Sequence, residues 1–284
     1  ELVKRKLFTC LHKFIPLEDI VSNSEFLKQN LDYFCFSIGF NRDEIHRLEQ
    51  LHEIVPFKVI CIDVANGYLE KFVEFCASVR EKFPDKIIIA GNVCTAQGVY
   101  NLIKNGKVDV VKCGIGSGSA CTTRIKTGVG YPQMSCIYDC AAVAHYHGAR
   151  IVSDGGITCP GDVAKAFGNG ADFVMMGGQF AGHKECPGEI IDEGGQSYKV
   201  FYGMSSSHAM RQNYSKIHTY RTSEGRHMKI KYKGPISDTV DDFLGGLRST
   251  CTYTNNENLS DMIGNLNFVR VNHQYNDSLV KHVI

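Results

Sequence analysis

The chain has 284 residues, 43% of them hydrophobic, and 31 basic against 30 acidic residues leave a formal net charge of +1. That size and apolar content suit a globular protein with an extensive core, and near-neutrality excludes a whole-chain attraction to nucleic acid or a membrane surface. No apolar run reaches membrane-span length, nothing at Glu1 resembles a signal peptide, and twelve scattered cysteines without a C-x-x-C pattern predict reduced thiols in a cytoplasmic protein.

Short β-branched runs alternate with longer amphipathic stretches, the pattern of a parallel sheet with helical crossovers. Strands are expected at 7–11, 33–38, 58–62, 86–90, 108–113, 150–153 and 172–176, and helices at 17–30, 43–54, 69–83, 96–105, 133–147 and 161–169. Thr95 suits the N-cap of the helix at 96, and Pro160 suits the first turn of the helix beside it. The strands are apolar on both faces, as in a sheet covered by helices.

A closed (β/α)8 TIM barrel needs eight such units, and seven strands are legible. Glu1 to Lys6 reads as the tail of a helix, so the expectation is a single barrel domain over 1–284 whose first strand lies upstream of Glu1, filling the gap between the strands at 7–11 and 172–176. An open doubly wound sheet is the alternative. The polar signals favour the barrel because they fall at strand ends, which in a barrel share one mouth. His12-Lys13, Asp63-Val64-Ala65-Asn66, Gly91-Asn92, Asp154-Gly155-Gly156 and Gly177-Gly178 each follow a strand. The last two strands of such barrels commonly seat a phosphate on glycine N–H groups, so a phosphorylated ligand is expected.

The fifth strand runs into Lys112-Cys-Gly-Ile-Gly-Ser-Gly-Ser-Ala-Cys-Thr-Thr-Arg124. Gly114, Gly116 and Gly118 permit positive φ and close approach to a ligand, and Cys121 at the end of that loop is a candidate nucleophile. A dinucleotide G-x-G-x-x-G would need glycine at 119, where Ser119 stands. Cys136 and Cys140 near His145 and His147 match no zinc pattern.

After Gly178 the alternation stops, and 182–234 reads as a long loop serving as a lid over the site. From Gly203 to Gly234 it holds seven cations (Arg211, Lys216, Arg221, Arg226, Lys229, Lys231, Lys233) against Glu224 alone, a net +6 suited to anionic ligands. A helix is expected at 238–247, ending near Gly245-Gly246, and beyond Asn255 the tail is short and polar.

Gly-Ser-Gly-Ser-Ala-Cys-Thr-Thr-Arg ending at Arg124, Ser153-Asp-Gly-Gly156, Gly203-Met-Ser-Ser206 and Tyr220-Arg-Thr-Ser-Glu-Gly225 resemble the IMP dehydrogenase and GMP reductase family. Gly245-Gly-Leu-Arg-Ser-Thr-Cys-Thr-Tyr253 and Cys159-Pro-Gly-Asp-Val-Ala-Lys-Ala-Phe167 are similar to its GMP reductase branch. The early strands leave no space for the dehydrogenase's regulatory insertion, and Tyr220-Arg221 reverses that enzyme's Arg-Tyr pair.

The resemblance implies NADPH-dependent reductive deamination of GMP to IMP and ammonia through a Cys121 thioimidate at purine C2, with Thr123 and Glu224 assisting. It implies substrate contacts from Asp154, Gly155, Gly156, Gly177, Gly178, Gly203, Met204, Ser205, Arg221, Ser223 and Gly225. Cofactor contacts fall on Lys13, Asp63, Val64, Ala65, Tyr220, Ser249, Thr250, Cys251 and Thr252. A potassium site at Gly116, Gly118, Cys121 and Arg124, and a homotetramer, follow from the same resemblance. Three readings remain beside it: an IMP dehydrogenase, a nucleotide-binding protein without catalysis, and a phosphate-binding barrel with another small substrate.

Overall fold

Seven parallel strands pair in chain order in a computed structural model that describes residues 1–202, 225 and 227–272. They are β1 (Thr9–Leu11), β2 (Phe34–Ile38), β3 (Val59–Asp63), β4 (Ile87–Val93), β5 (Val110–Cys113), β6 (Arg150–Asp154) and β7 (Phe173–Met175), each within a few residues of its expected place. Strict neighbour order with every pair parallel is the arrangement of a curled barrel sheet, and it excludes the doubly wound alternative, whose strand order reverses.

Both faces of the sheet are apolar for different reasons. One parity of each strand fills the concave interior, where Cys10, Cys35, Val59, Cys61, Ile89, Val110, Val152 and Met175 pack together. The opposite parity, including Phe36, Ile60, Ile62, Ile88, Val111 and Ile151, packs under the helices.

Those helices are α1 (Leu17–Ser22), α2 (Ser24–Lys28), α3 (Arg42–Ile54), α4 (Glu70–Lys82), α5 (Ala96–Lys104), α6 (Thr123–Thr127), α7 (Gln133–Tyr146) and α8 (Pro160–Gly168). The Asn41 side chain accepts from the N–H groups of Asp43 and Glu44, Thr95 accepts from Gly98 N–H, and Pro160 opens α8. The single helix expected over 17–30 is instead broken at Asn23. Its side-chain amide donates to the Asp19 carbonyl at 2.8 Å, competing with the helical ladder.

Two further expectations are corrected. The stretch 182–234 is not one loop, because β8 (Ile190–Glu193), β9 (Gln196–Tyr202) and β10 (His227–Lys231) form an antiparallel sheet. Gly194 and Gly195, with φ of 59° and 79°, make the two-residue turn between β8 and β9. The last long helix, α9 (Ser237–Tyr253), runs through Gly245-Gly246. Gly246 does not stop it; a Cβ there would lie 2.5 Å from Pro160 Cβ, so glycine is what lets α9 approach α8. A short α10 (Leu259–Met262), with an Asn258/Asp261 capping box, falls in the tail from which no element was expected.

The helix α9 also reaches the other end of the chain. Arg5, in a 3-10 turn before β1, forks onto both carboxylate oxygens of Asp241 at 2.8 and 3.0 Å. It therefore links the β7 side of the sheet, through α8, to the β1 side. Among the described residues no helix is long and apolar enough to cross a membrane.

Candidate active site

The expected signals do gather at the C-terminal ends of the strands. At their centre lies Lys112, 3% exposed, whose ammonium pairs with Asp63 at the end of β3 and with Asp154 Oδ2 at the end of β6, at 3.0 Å. Register aligns Asp63 with Gly91 and Gly91 with Lys112, so the lysine must cross β4 to reach its partner. Glycine makes that possible: a Cβ at Gly91 would meet Lys112 Cβ at 2.7 Å.

Burial pushes the Lys112 ammonium down, but the Asp154 and Asp63 charges outweigh it and hold the group well above its usual value. For Asp63 burial raises the carboxyl while the Lys112 charge and hydrogen bond lower it further, leaving it below the ordinary carboxylate range. The Asn92 amide donates to Asp154 Oδ2 at 2.9 Å and to the Gly114 carbonyl at 2.8 Å, joining this network to the cysteine loop. Among the described residues both contacts of the Asp154 carboxylate use Oδ2, which leaves Oδ1 as the acceptor for a ligand. Sequence reasoning gave Lys112 and Asn92 no role; the one available signal was a lysine at a position whose strand parity faces the interior.

The cysteine loop is held from both sides. Ser117 Oγ donates to the Asp154 carbonyl at 3.1 Å, Gly156 N–H donates to the Ser117 carbonyl at 3.0 Å, and a Cβ at Gly114 would stand 2.2 Å from Asp154 O. Gln133, at the start of α7, donates to the Cys113 carbonyl at 2.9 Å and Ser153 Oγ at 3.0 Å. The Arg124 side chain lies between Gly116 and Gly130, where Cβ atoms would meet its Cγ at 2.6 and 2.5 Å, and its guanidinium donates to the Tyr131 carbonyl.

On this support Cys121 is half-buried. Its thiol donates to Thr123 Oγ1 at 3.2 Å, and Thr123 N–H points at the sulfur from 3.5 Å. Cys121 also forms an isolated antiparallel bridge with Gly225, the described residue just before β10. The expected lid thus returns to the candidate nucleophile.

The glycine turns divide into two roles. Gly155 N–H donates to the Met175 carbonyl at 3.4 Å and Gly156 N–H to Ser117, so these N–H groups hold the loops together. Among the described residues, Gly177 and Gly178 N–H have no protein acceptor, and Gly178 lies so near the cysteine loop that a Cβ would be 2.2 Å from Ser119 Oγ.

The expected cofactor residues are also divided. Lys13 donates to the Asp63 carbonyl at 3.2 Å, which brings the ends of β1 and β3 together, while Val64 is bound through its backbone to Gly91 and Asn92 and Ala65 is exposed. Ser249, Thr250, Cys251 and Thr252 lie instead on α9. There the Thr250 and Thr252 hydroxyls donate to the helix's own Gly246 and Arg248 carbonyls, and Cys251 packs with Val163 and Phe167 of α8. Gly203, Met204, Ser205, Tyr220, Arg221, Ser223 and Glu224 lie outside the described residues.

A seven-stranded parallel sheet in barrel order, with a cysteine loop and a buried lysine–carboxylate network at its C-terminal edge, defines an α/β-barrel enzyme with its chemistry at that edge. The chain belongs to the IMP dehydrogenase / GMP reductase family of oxidoreductases, whose domain model matches residues 23–279. It is 50% identical to GMP reductase 1 of Mus musculus over 271 residues, covering 95% of this chain and 78% of that one. It is also 50% identical to GMP reductase 2 of Homo sapiens over 279 residues (97% and 79%), and 48% identical to GMP reductase of Buchnera aphidicola subsp. Schizaphis graminum (97% and 79%). A solved GMP reductase from Trypanosoma brucei in complex with guanosine 5'-monophosphate superposes with a TM-score of 0.75 at 32% identity, over 81% of this chain and 48% of that chain.

Proposed function

We propose that the protein reduces GMP to IMP and ammonia with NADPH, using Cys121 as nucleophile. The observation that carries this reading is the Cys121–Thr123 contact of 3.2 Å on a loop tied to Asp154, in a chain about half identical to named GMP reductases.

The thiol proton is relayed through Thr123 Oγ1, whose own hydroxyl proton passes on towards the departing amine, and the Thr123 N–H favours the resulting thiolate. The sulfur adds to purine C2, and the C2–N bond breaks once the amine is protonated, giving ammonia and a thioimidate on Cys121. Glu224, the acid beside Gly225 in sequence, is assigned that proton transfer together with Thr123. A bound nicotinamide supplies a hydride to C2. The C2–S bond then breaks and the pair of electrons returns to Cys121 as thiolate.

Asp154 Oδ1 accepts from the ribose hydroxyls, and the open N–H groups of Gly177 and Gly178 take the phosphate. Gly155 and Gly156 support that pocket through the loop contacts described above, and the family resemblance assigns Gly203, Met204, Ser205, Arg221, Ser223 and Gly225 to the same nucleotide. Lys13 fits an anionic cofactor as a half-buried ammonium at the mouth. Asp63, Val64, Ala65 and Tyr220, with Ser249 to Thr252 on α9, are assigned to the same cofactor by the family resemblance. The potassium reading rests on the carbonyls of Gly116, Gly118, Cys121 and Arg124; the Gly118 and Arg124 carbonyls already accept from Cys121 and Gly128 N–H at 3.0 Å.

Paired assays test the proposal: GMP with NADPH is consumed with release of ammonia, and IMP with NAD is not oxidised. The reverse preference would make the chain a dehydrogenase, and GMP binding without turnover would make it a nucleotide-binding protein.

A further inference from the structure

Three thiols that take no part in the proposed chemistry converge inside the sheet. Cys10 on β1 lies directly opposite Cys35 on β2, and their sulfurs are 3.3 Å apart. Cys61 on β3 completes the group, with all three sulfurs within 4.8 Å of one another. Cys35 and Cys61 are buried, at 0% and 1% exposure, and Cys10 is half-buried.

Cysteine often fills a core simply as a small apolar side chain, and the neighbouring interior positions here are Val59, Ile89, Val110 and Val152. The spacing goes beyond packing. Three sulfurs around one cation, with bonds of about 2.3 Å, stand about 4 Å apart, and the separations here, 3.3 Å for Cys10–Cys35 and at most 4.8 Å within the group, bracket that value. Strand-borne ligands are also more fixed than loop-borne ones.

We propose that Cys10, Cys35 and Cys61 form a three-coordinate site for a soft d10 cation, Cu(I). The donor set selects it. Among the described residues this is the one group of three or more His, Cys, Asp or Glu ligand atoms at such spacing, and all three are thiols. Thiolate and thioether donors suit Cu(I), whereas structural zinc takes a fourth strong ligand that the cluster lacks. Binding displaces the thiol protons to solvent with no change of oxidation state. The Lys112 charge acts on Cys10 and Cys61 in the direction that favours thiolate, and the Asp63 charge acts on Cys10 in the opposite direction.

The test uses the full chain, anaerobic and in a phosphine reductant, titrated with Cu(I) against the chelator bicinchoninate. One copper per chain should be withheld from the chelator, with X-ray absorption showing sulfur ligands at about 2.3 Å. Cys35→Ala and Cys10→Ala should each release that equivalent, while Cys136→Ala and Cys121→Ala keep it. If Cys35→Ala does not fold, Cys10→Ala decides the matter, since its side chain is already part-exposed and its fold is checked by melting. Copper surrendered fully by the parent chain, or retained by Cys10→Ala, overturns the site.

Discussion

Lys112 reaches Asp63 across the bare backbone of Gly91, and the same ammonium holds Asp154, so one buried charge ties β3, β5 and β6 together beneath the mouth of the sheet. Removing it leaves two carboxylates without their shared partner, and only the Lys13 charge still acts on Asp63. Lys112→Met is expected to lower unfolding stability by about 3 kcal/mol, the lower end of what breaking a buried pair costs, because the Asp63 side chain keeps 39% exposure. Urea unfolding measures it, and an unchanged midpoint would show that the pair contributes nothing.

The same network fixes a pH dependence. Asp63 is depressed in the folded state, so its contribution is present above the unfolded carboxylate range and is lost as pH falls through its lower folded value. Lys112 is raised, so its contribution is full below the unfolded lysine range and is lost only as pH rises through the higher folded value. Between these limits stability is flat with respect to both groups. Thermal melts of the parent and of Asp63→Asn should diverge least in acid, where the parent's carboxylate is protonated too.

Cys121→Ala is expected to reduce turnover by more than about 1000-fold with GMP affinity nearly unchanged, because the thiol makes the bond while the phosphate and ribose are held elsewhere. Thr123→Val, which removes the oxygen that accepts the thiol proton, should lower kcat on the order of 100-fold. Steady-state rates paired with GMP titration by calorimetry separate the two effects. Full activity in Cys121→Ala would end the covalent mechanism.

Gly178→Ala places a methyl group 2.2 Å from Ser119 Oγ, in the loop that carries Cys121. The Ser119 hydroxyl must rotate or the loop must shift, so KM for GMP should rise at least about tenfold while the melting temperature changes little. An unaltered KM would separate Gly178 from the nucleotide.

Adjacent glycines of α9 should respond in opposite directions. A Cβ at Gly245 meets nothing within 4 Å, and Gly245→Ala is expected to stabilise the protein by about 1 kcal/mol through helix propensity. A Cβ at Gly246 falls 2.5 Å from Pro160 Cβ, so Gly246→Ala should destabilise by about 1–3 kcal/mol as α9 is pushed from α8. Denaturant melts of the two variants give the comparison.

The contrast between Gly245 and Gly246 shows where sequence reading stops. Both glycines look like a helix stop, yet one is solvent-facing and the other lies under Pro160, a distinction that exists only after α8 and α9 pack. The Gly194-Gly195 turn and its flanking strands were obscured likewise, because a hairpin of polar strands has the composition of a loop until its ladder forms.

Local chemistry determined the seven strands, the Thr95 cap, the Pro160 helix start and the placement of Cys121, Asp154 and the glycine turns at strand ends, since each depends on residues close in sequence. Tertiary structure alone decided that Lys112 would sit between Asp63 and Asp154, that Cys10, Cys35 and Cys61 would meet, and that Gly225 would bridge to Cys121. Those contacts join residues 25 to 104 positions apart, and only strand register and the curl of the sheet bring their side chains to one point.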